Sequence, residues 1–210
     1  MIIGCGRFGS RAARQLLGKR PGSKITIVDS DEKTLQKGID LPIERVVSDG
    51  LSYLDRVLLD GSSRDYIIPA VPFHLAFEFI LLRLKPLGAK RVRVPPLQEL
   101  PHLMIGKTGD LYASFADFLC PDDCPEPSRY CTVTKKKRPK PLFKALADLT
   151  GPFDSMTIGS RQLGPGVGGF RSDILKDLVE TIKRKRERNR TCLISTSCRC
   201  HAVISALSFR

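Results

Sequence analysis

Nine residues at the start of the chain decide its fold: Met1-Ile2-Ile3-Gly4-Cys5-Gly6-Arg7-Phe8-Gly9. An apolar start leads into glycines spaced Gly-x-Gly-x-x-Gly, and a basic, helix-forming stretch follows. Between a strand and a helix, Gly4 allows a tight turn, Gly6 lets a pyrophosphate approach the backbone, and Gly9 lets the helix pack on its strand. The helix N-terminus then presents N–H groups to phosphate. The stretch predicts a dinucleotide or adenine-nucleotide site, against the plainer interpretation of a glycine turn in an α/β domain.

A second apolar stretch, residues 24–29, ends in an acid at the expected distance. Asp29 lies about twenty residues after Gly9, where a carboxylate accepts hydrogen bonds from an adenosine ribose. A carboxylate at this position also repels a 2′-phosphate. The predicted cofactor is therefore NAD, with NADP disfavoured.

Strands and helices alternate through the first hundred residues. Further strands are predicted at Glu44–Gly50, Asp65–Pro72 and Arg91–Pro95, and helices at Arg7–Lys19, Asp31–Lys37, Leu51–Leu59 and Phe73–Leu84. This alternation predicts an α/β fold with a Rossmann-like, doubly wound parallel sheet. Two consecutive prolines at 95 and 96 mark a boundary. We predict a dinucleotide-binding domain at 1–95 and a second, smaller, cysteine-containing α+β domain at 96–210.

Three strings of residues, Ile2–Gly9, Ile27–Asp31 and Val46–Gly50, resemble the nucleotide-binding domain of potassium-conductance regulators, the RCK or TrkA-N type. The resemblance covers about residues 1–70. It implies binding of NAD(H) or an adenine nucleotide, with Asp29 on the ribose and the glycine turn on the phosphates. The small C-terminal ligand domain that is usual in that family is not recognisable after residue 100.

Nine residues form the predicted nucleotide site: Gly4, Gly6, Arg7, Phe8, Gly9, Asp29, Ser30, Asp49 and Ala70. The favoured function is a regulatory or sensor protein, as in potassium transport. Besides the dinucleotide, the expected partners are a second copy of the chain and a membrane transporter. The alternative is an NAD(P)-dependent oxidoreductase with a cysteine-ligated metal or iron–sulfur site in the second domain. His74 would be its best general acid or base, against the plainer interpretation of a histidine without a ligand in the first turn of a helix.

The C-terminal half has its own chemical signal in its cysteines. Cys120, Cys124 and Cys131 are separated by proline-stiffened turns, in which thiolates can converge on one ion. Cys198 follows a predicted strand at 191–195 and offers a fourth ligand. We predict a metal site formed by these four cysteines, holding zinc or an iron–sulfur cluster, although the spacings match no standard motif. Redox-active thiols without metal and ordinary reduced cysteines are the open alternatives.

A glycine-rich stretch and two basic runs complete the motifs. Gly164–Phe170 is interpreted as a phosphate or substrate loop, or as a flexible loop over the cofactor cleft. The first basic run, Lys135–Lys140, follows a strand-like Tyr130–Thr134, and the second, Lys183–Arg190, ends a predicted helix. With a net charge of +13 they favour anionic partners. A module for nucleic acid or an anionic membrane is a third hypothesis, in which nucleic acid is disfavoured because neither run contains an aromatic residue.

The composition is that of a globular protein, with 41% hydrophobic and 27% charged residues. No apolar run approaches the roughly eighteen residues that a membrane helix needs, and no signal peptide is recognised. The seven cysteines, an odd number, favour free thiols or metal ligands in a reducing compartment. The expected location is the cytoplasm.

Overall fold

A computed structural model describes residues 1–37, 41–60, 65–97, 100–185 and 190–209 of the chain. These residues contain two six-stranded β-sheets and six α-helices. The elements of the first half are β1 (Ile2–Ile3), α1 (Arg7–Lys19), β2 (Thr26–Asp29), α2 (Glu32–Lys37), β3 (Glu44–Val47), α3 (Gly50–Leu59), β4 (Tyr66–Pro69), α4 (Leu75–Leu84) and β5 (Ala89–Val92). They agree in type and order with the prediction.

The second half is mixed. Its elements are β6 (Met104–Ile105), β7 (Leu111–Ser114), α5 (Leu142–Ala147), β8 (Phe153–Gly159), β9 (Arg161–Gly164), β10 (Val167–Arg171), α6 (Asp173–Lys185), β11 (Thr191–Ser197) and β12 (His201–Phe209). No helix in the described ranges is long and apolar enough to cross a membrane.

The first sheet has the strand order β3-β2-β1-β4-β10-β9. Its first four strands are parallel, with Ile2 opposite both Ile27 and Ile68. This confirms the Rossmann-like prediction for the N-terminal part. The last two strands come from the second half of the chain. Each pairs antiparallel with the strand before it in this order, with Phe170 of β10 opposite Ile67 of β4. The sheet is therefore not purely parallel.

The second sheet is built around β12, the last strand. One edge of β12 pairs with β11, and the other edge pairs with β7 and then with β5. The predicted fifth strand thus exists. The prediction that it belongs to the first, parallel sheet was wrong, because Ala89–Val92 pairs antiparallel with β12 of the second sheet. Strands from each half of the chain pair in the sheet of the other half. The predicted domain boundary at residue 95 therefore stays a prediction.

Two local predictions in the second half were also wrong. Gly164–Phe170 is not a loop leading into a helix, because most of it forms the β9–β10 hairpin. Tyr130–Thr134 is not a strand, since only one isolated bridge joins Tyr130 to Lys137. Of the second basic run, residues 186–189 lie outside the described ranges.

Helix α4 is the centre of the hydrophobic core. It contacts α3 and α6 as well as strands β5 and β11 of the second sheet. Buried side chains project from several of its faces, among them Phe77, Phe79 and Ile80. A helix that is apolar nearly all round is stable only when other elements cover it. The strongly apolar stretch in the sequence therefore marks the joint between the two halves.

A buried polar network joins the start of α4 to the second sheet. His74 is 3% exposed, and its Nδ1 and Nε2 lie 2.8 Å from Ser205 Oγ and 2.9 Å from Thr196 Oγ1. Ser205 donates to Asp110 at 2.5 Å, so its oxygen can accept from His74 Nδ1–H. Arg91 pairs with the same carboxylate at 2.6 Å. Because both imidazole nitrogens are used inside the core, His74 is a structural residue and does not serve as the general acid or base.

We predict that His74 makes the protein acid-sensitive. Burial lowers its pKa to about 3, against the raising effect of Asp110. In the unfolded chain the His74 imidazole binds a proton near pH 6.5, whereas in the folded protein it stays neutral at that pH. The contribution of His74 to stability is therefore complete above pH 6.5 and falls by about 1.4 kcal/mol per unit between that pH and its folded-state pKa of about 3.

Chemical denaturation between pH 7 and pH 4.5 measures this loss. His74→Gln should lower stability at pH 7 and flatten the pH dependence. His102→Asn, at an exposed histidine with positive φ, is the control and should keep the wild-type slope. An unchanged slope in His74→Gln would contradict the assignment.

Candidate functional site

The glycine turn lies between β1 and α1 and depends on missing Cβ atoms at two of its three glycines. Gly4 has φ +99°, and a Cβ there would lie 2.4 Å from the carbonyl oxygen of Ala70. A Cβ on Gly9 would lie 1.9 Å from the carbonyl oxygen of Gly4. Around a Cβ on Gly6, by contrast, no atom lies within 4 Å. The backbone is closely packed on its inner side and open at Gly6, as a phosphate-binding turn requires.

The N-terminus of α1 begins at this open side. Gly6 is the N-cap residue, and no side chain there satisfies the first N–H groups of the helix. Arg7 and Phe8 are exposed, with the guanidinium carbon 5.0 Å from the ring centre. Uncapped N–H groups together with a cation favour an anionic ligand.

Asp29 stands beside the turn at the end of β2. Its Oδ2 accepts the backbone N–H of Cys5 at 2.6 Å, and its Oδ1 accepts that of Asp31 at 2.9 Å. The carboxylate therefore braces the glycine turn itself. Each oxygen keeps a further lone pair with which to accept a hydroxyl.

The remaining residues predicted to bind the nucleotide, Asp49, Ala70 and Ser30, lie in different local settings. Asp49 caps α3 and accepts the N–H of Ser52 at 2.8 Å, and this hydrogen bond lowers the pKa of the carboxyl group. Ala70 donates its N–H to Ile3 at 2.7 Å, beside the glycine turn. Ser30 is exposed. The assignment of all nine residues as cofactor ligands stays a prediction.

A cavity of about 600 Å³ lies beside the first turn of α1. Phe8 of α1 and Val167 of β10 contribute to its wall. The remaining wall is rich in sulfur and nitrogen ligands, namely Cys120, Cys124, Cys131, Cys198, Cys200 and His201. The four cysteines predicted from sequence thus line one cavity, together with two residues that the prediction left out. We call residues 119–131 the cysteine segment.

The thiols in the cavity have distinct neighbours. Cys120 Sγ lies 3.6 Å from His201 Nε2, and Cys198 Sγ lies 3.7 Å from His201 Nδ1. Cys200 Sγ is contacted by the guanidinium of Arg138. Within the described ranges, no three His, Cys, Asp or Glu side chains lie close enough together to hold one metal ion. The metal site therefore stays a prediction.

The electrostatic surroundings also differ between these thiols. Burial raises the pKa of Cys198 to about 12, with Glu126 adding to the effect. Hydrogen bonding from Thr134 lowers the pKa of Cys131. Burial raises the pKa of Cys120, and the charges of neighbouring thiols raise it further. The cavity is therefore not uniform, and Cys131 ionises more readily than Cys198.

The cysteine segment is attached both to α1 and to the β9–β10 hairpin. Asp122 forms an ion pair with Arg7 at 2.5 Å and with Arg11 at 3.4 Å. The carbonyl of Cys124 accepts the N–H of Gly166 at 3.0 Å. Gly166 has φ +67°, and a Cβ there would collide with the carbonyl oxygen of Asp122. The glycine-rich stretch therefore serves to let the cysteine segment approach the β9–β10 hairpin.

Two residues of the cavity had a weak signal in the sequence. Cys200 and His201 lie within three residues of Cys198, so the sequence indicated that they are close to it. The sequence did not indicate which of them faces the cysteine segment. The ion pair between Arg7 and Asp122 spans 115 positions and had no signal at all.

Comparison with known protein families first identifies the type of the N-terminal domain. The model of the TrkA-N domain matches residues 1–53, which agrees with the glycine turn and the parallel strands. The N-terminal part therefore resembles the TrkA-N domain and has a Rossmann-like fold.

A second family model, described as "Uncharacterized protein, C-terminal domain", matches residues 76–210. A protein of Archaeoglobus fulgidus (strain ATCC 49558), described as "Uncharacterized protein", is 30% identical over 220 residues, which cover 99% of this chain and 98% of that protein. The chain belongs to the family that this C-terminal domain defines. No solved structure matches it.

We predict that Gly6→Val abolishes dinucleotide binding without unfolding the protein. The valine side chain would occupy the open space that the phosphate needs, while Gly6 has φ −65°, which any residue adopts. Gly18→Ala, also in open space and inside α1, is the control and should bind normally, with stability raised by up to about 1 kcal/mol. Calorimetric titration with NAD and thermal unfolding measure both effects. Normal binding by folded Gly6→Val would show that the ligand lies elsewhere.

Proposed function

We propose that the protein binds NAD(H) at the glycine turn and acts as a nucleotide-responsive regulator. The observation that carries this proposal is the contrast at the turn. Cβ atoms are excluded at Gly4 and Gly9 by neighbouring carbonyl groups, but the side of Gly6 is open. A turn needed only for chain reversal has no reason to keep its middle glycine free of neighbours.

The preference for NAD over NADP follows from Asp29. Its carboxylate is held beside the turn by two backbone N–H groups, so it cannot easily move away from a ribose. A 2′-phosphate at the same place would meet a fixed negative charge. Ribose hydroxyls, as hydrogen-bond donors, would be accepted there.

A regulatory role is supported by the position of Arg7. This cation belongs to the glycine motif and is also paired with Asp122 of the cysteine segment. A bound pyrophosphate and Asp122 would both attract it. Nucleotide occupancy would therefore change how firmly the segment is held on α1, and by linkage the segment's position would change nucleotide affinity equally.

A second candidate is an NAD(P)-dependent oxidoreductase. It is favoured by the cavity beside Phe8 and Val167, which lies beside the first turn of α1 and contains thiols and an imidazole. A substrate could bind there close to a dinucleotide. Transfer of hydride to any of a panel of carbonyl or imine compounds would favour this function, and tight binding without turnover favours the regulator.

Three statements about the cellular setting stay predictions: pairing with a second copy of the chain, contact with a membrane transporter in potassium transport, and a cytoplasmic location. They derive from the resemblance and the composition.

We predict that Asp29→Ala weakens NAD binding about 10- to 100-fold, because hydrogen bonds to a charged group contribute about 1.5–3 kcal/mol. Asp29→Asn keeps an acceptor for the N–H of Cys5 but removes the charge, so its affinity for NADP should rise relative to NAD. Calorimetric titration of both variants with both cofactors gives the result. Unchanged NAD affinity in Asp29→Ala would refute the assignment of this residue.

We further predict that Asp122→Asn raises NAD affinity by about two- to five-fold. The substitution releases Arg7 from an exposed ion pair, and such pairs contribute up to about 1 kcal/mol. Asp173→Asn removes an ion pair of similar exposure, between Asp173 at the start of α6 and Arg171 at the end of β10, and is the control that should bind as wild type. Arg7→Gln should bind more weakly.

The same variants test the regulatory link. NAD should change the rate at which a thiol reagent modifies the cavity cysteines in the wild type and should not do so in Arg7→Gln. Equal thiol reactivity with and without saturating NAD in the wild type would contradict a regulatory coupling, while leaving nucleotide binding in place.

A further inference from the structure

We propose that Cys120 is a nucleophilic thiol, activated by His201, which exchanges with a negatively charged disulfide of low molecular mass in the cavity. The products are a mixed disulfide at Cys120 and a released thiol. The proposal rests on the geometry of side chains in the cavity wall, and it depends neither on nucleotide binding nor on a metal ion.

The first observation is a contact between a nucleophile and a base from distant parts of the chain. Cys120 Sγ, in the cysteine segment, lies 3.6 Å from Nε2 of His201 at the start of β12. A thiol next to an imidazole that a third group orients is the arrangement by which proteins activate cysteine nucleophiles. Both side chains line the cavity of about 600 Å³, which has room for a small organic molecule.

The second observation decides which imidazole nitrogen faces Cys120 as the proton acceptor. Cys198 Sγ lies 3.7 Å from His201 Nδ1, and the Cys198 thiol also forms a side-chain hydrogen bond with Glu126. Because an ionised carboxylate can only accept, the S–H of Cys198 is directed to Glu126, and its sulfur accepts Nδ1–H of His201. The lone pair of Nε2 then faces the thiol of Cys120. Cys198 and Glu126 are thus positioning residues for the base.

The exchange balances with these groups and the incoming disulfide alone. Nε2 of His201 takes the proton of Cys120 while Sγ attacks one sulfur of the disulfide. A new S–S bond forms, the old one breaks, and the leaving thiolate receives the proton from the His201 imidazolium. The incoming disulfide is therefore the oxidant. Glu126, at the far end of the hydrogen-bonded chain, stabilises the imidazolium while it exists.

A disulfide matches the site better than an acyl compound does. Attack on a carbonyl carbon requires hydrogen-bond donors fixed around the developing oxyanion. Exchange at sulfur requires a thiolate, a proton carrier and room for the leaving thiol. Cys120, His201 and the cavity supply these three requirements.

The charges of the cavity wall favour an anionic disulfide. Three cations line the wall, namely Lys136, Lys137 and Arg138. Three acids line it as well, but two of them are engaged within the protein. Asp122 is paired with Arg7, and Glu126 accepts the backbone N–H of Arg199. The third acid, Asp117, is exposed. The wall therefore attracts carboxylates more strongly than ammonium groups.

The rate at which the reduced full-length protein reacts with glutathione disulfide tests the proposal. Mass spectrometry with peptide mapping should place the mixed disulfide on Cys120. His201→Gln should slow this reaction about 100-fold, because a positioned base contributes about 10²–10⁴-fold. Cys131 of the same molecules is the internal control, and its rate should not change.

Two variants of Cys198 test its positioning role. Cys198→Ala should slow the reaction of Cys120 about 10-fold, because one hydrogen bond to His201 is lost. Cys198→Ser should restore most of the rate, since a hydroxyl can also accept Nδ1–H. A residue that only fills space would give the same rate with either substitution.

A cationic disulfide, cystamine, tests the charge of the ligand. Each rate is divided by the rate with the urea-unfolded chain, which removes the intrinsic difference between the two reagents. On this scale glutathione disulfide should react with Cys120 about 10-fold faster than cystamine, and high salt should reduce the difference.

Several results would overturn the proposal, and the first of them needs no variant. The wild-type protein might carry the adduct on another thiol or on none, or it might prefer cystamine. Equal rates at Cys120 in the wild type and His201→Gln, or an equal loss at Cys120 and Cys131, would also contradict it. A bound metal that must be removed by a chelator before Cys120 reacts would assign this thiol to the metal site predicted from sequence. Each of these results leaves NAD binding by the glycine turn unaffected.

Discussion

The close approach of three backbone segments at the glycine turn is the constraint on which the N-terminal fold and the proposed nucleotide site depend. The carbonyl of Gly4 lies where a side chain of Gly9 would begin, and the carbonyl of Ala70 lies where a side chain of Gly4 would begin. Strands β1 and β4 and helix α1 can meet only because both side chains are absent. The consequence is a rigid turn with an uncapped helix N-terminus at its mouth, next to a carboxylate that is itself hydrogen-bonded to the turn.

The two halves of the protein are joined by exchanged strands and by shared polar contacts. The β9–β10 hairpin extends the first sheet, while β5 extends the second. Around α4 the core is mainly apolar, and the network of His74, Ser205 and Asp110 is buried within it. Buried polar groups of this kind are tolerable only when every partner is present. They make the interface between the halves specific, and sensitive to acid.

The contact between Arg7 and Asp122 links the glycine motif to the cysteine segment. It connects Arg7, a residue of the glycine motif, to the segment that carries three cysteines. The start of α1 and the cysteine segment are therefore neighbours, although their residues are more than a hundred positions apart in the chain. A regulator needs such a connection, and an oxidoreductase with a substrate in the cavity would use the same proximity.

Much of the first half could be predicted because its signals are local. Helix α1 has the predicted bounds Arg7–Lys19, and β2 ends at Asp29 as expected. The predictions failed where pairing between distant segments decides the outcome. The stretch Ala89–Val92 forms a strand in either sheet equally well, and only the edge offered by β12 determines its place. Gly164–Phe170 has the composition of a loop, but the free edge of β4 makes it a strand.

The sequence by itself determined the glycine turn, the acid beside it and the order of the N-terminal strands, because each follows from short-range backbone sterics and hydrophobic periodicity. It also indicated a cluster of thiols. Only the tertiary structure decided which thiols face one another, that His201 stands opposite Cys120, and that Asp122 holds the cysteine segment against α1. These contacts depend on how two sheets pack around α4, and no pattern within one segment encodes that packing.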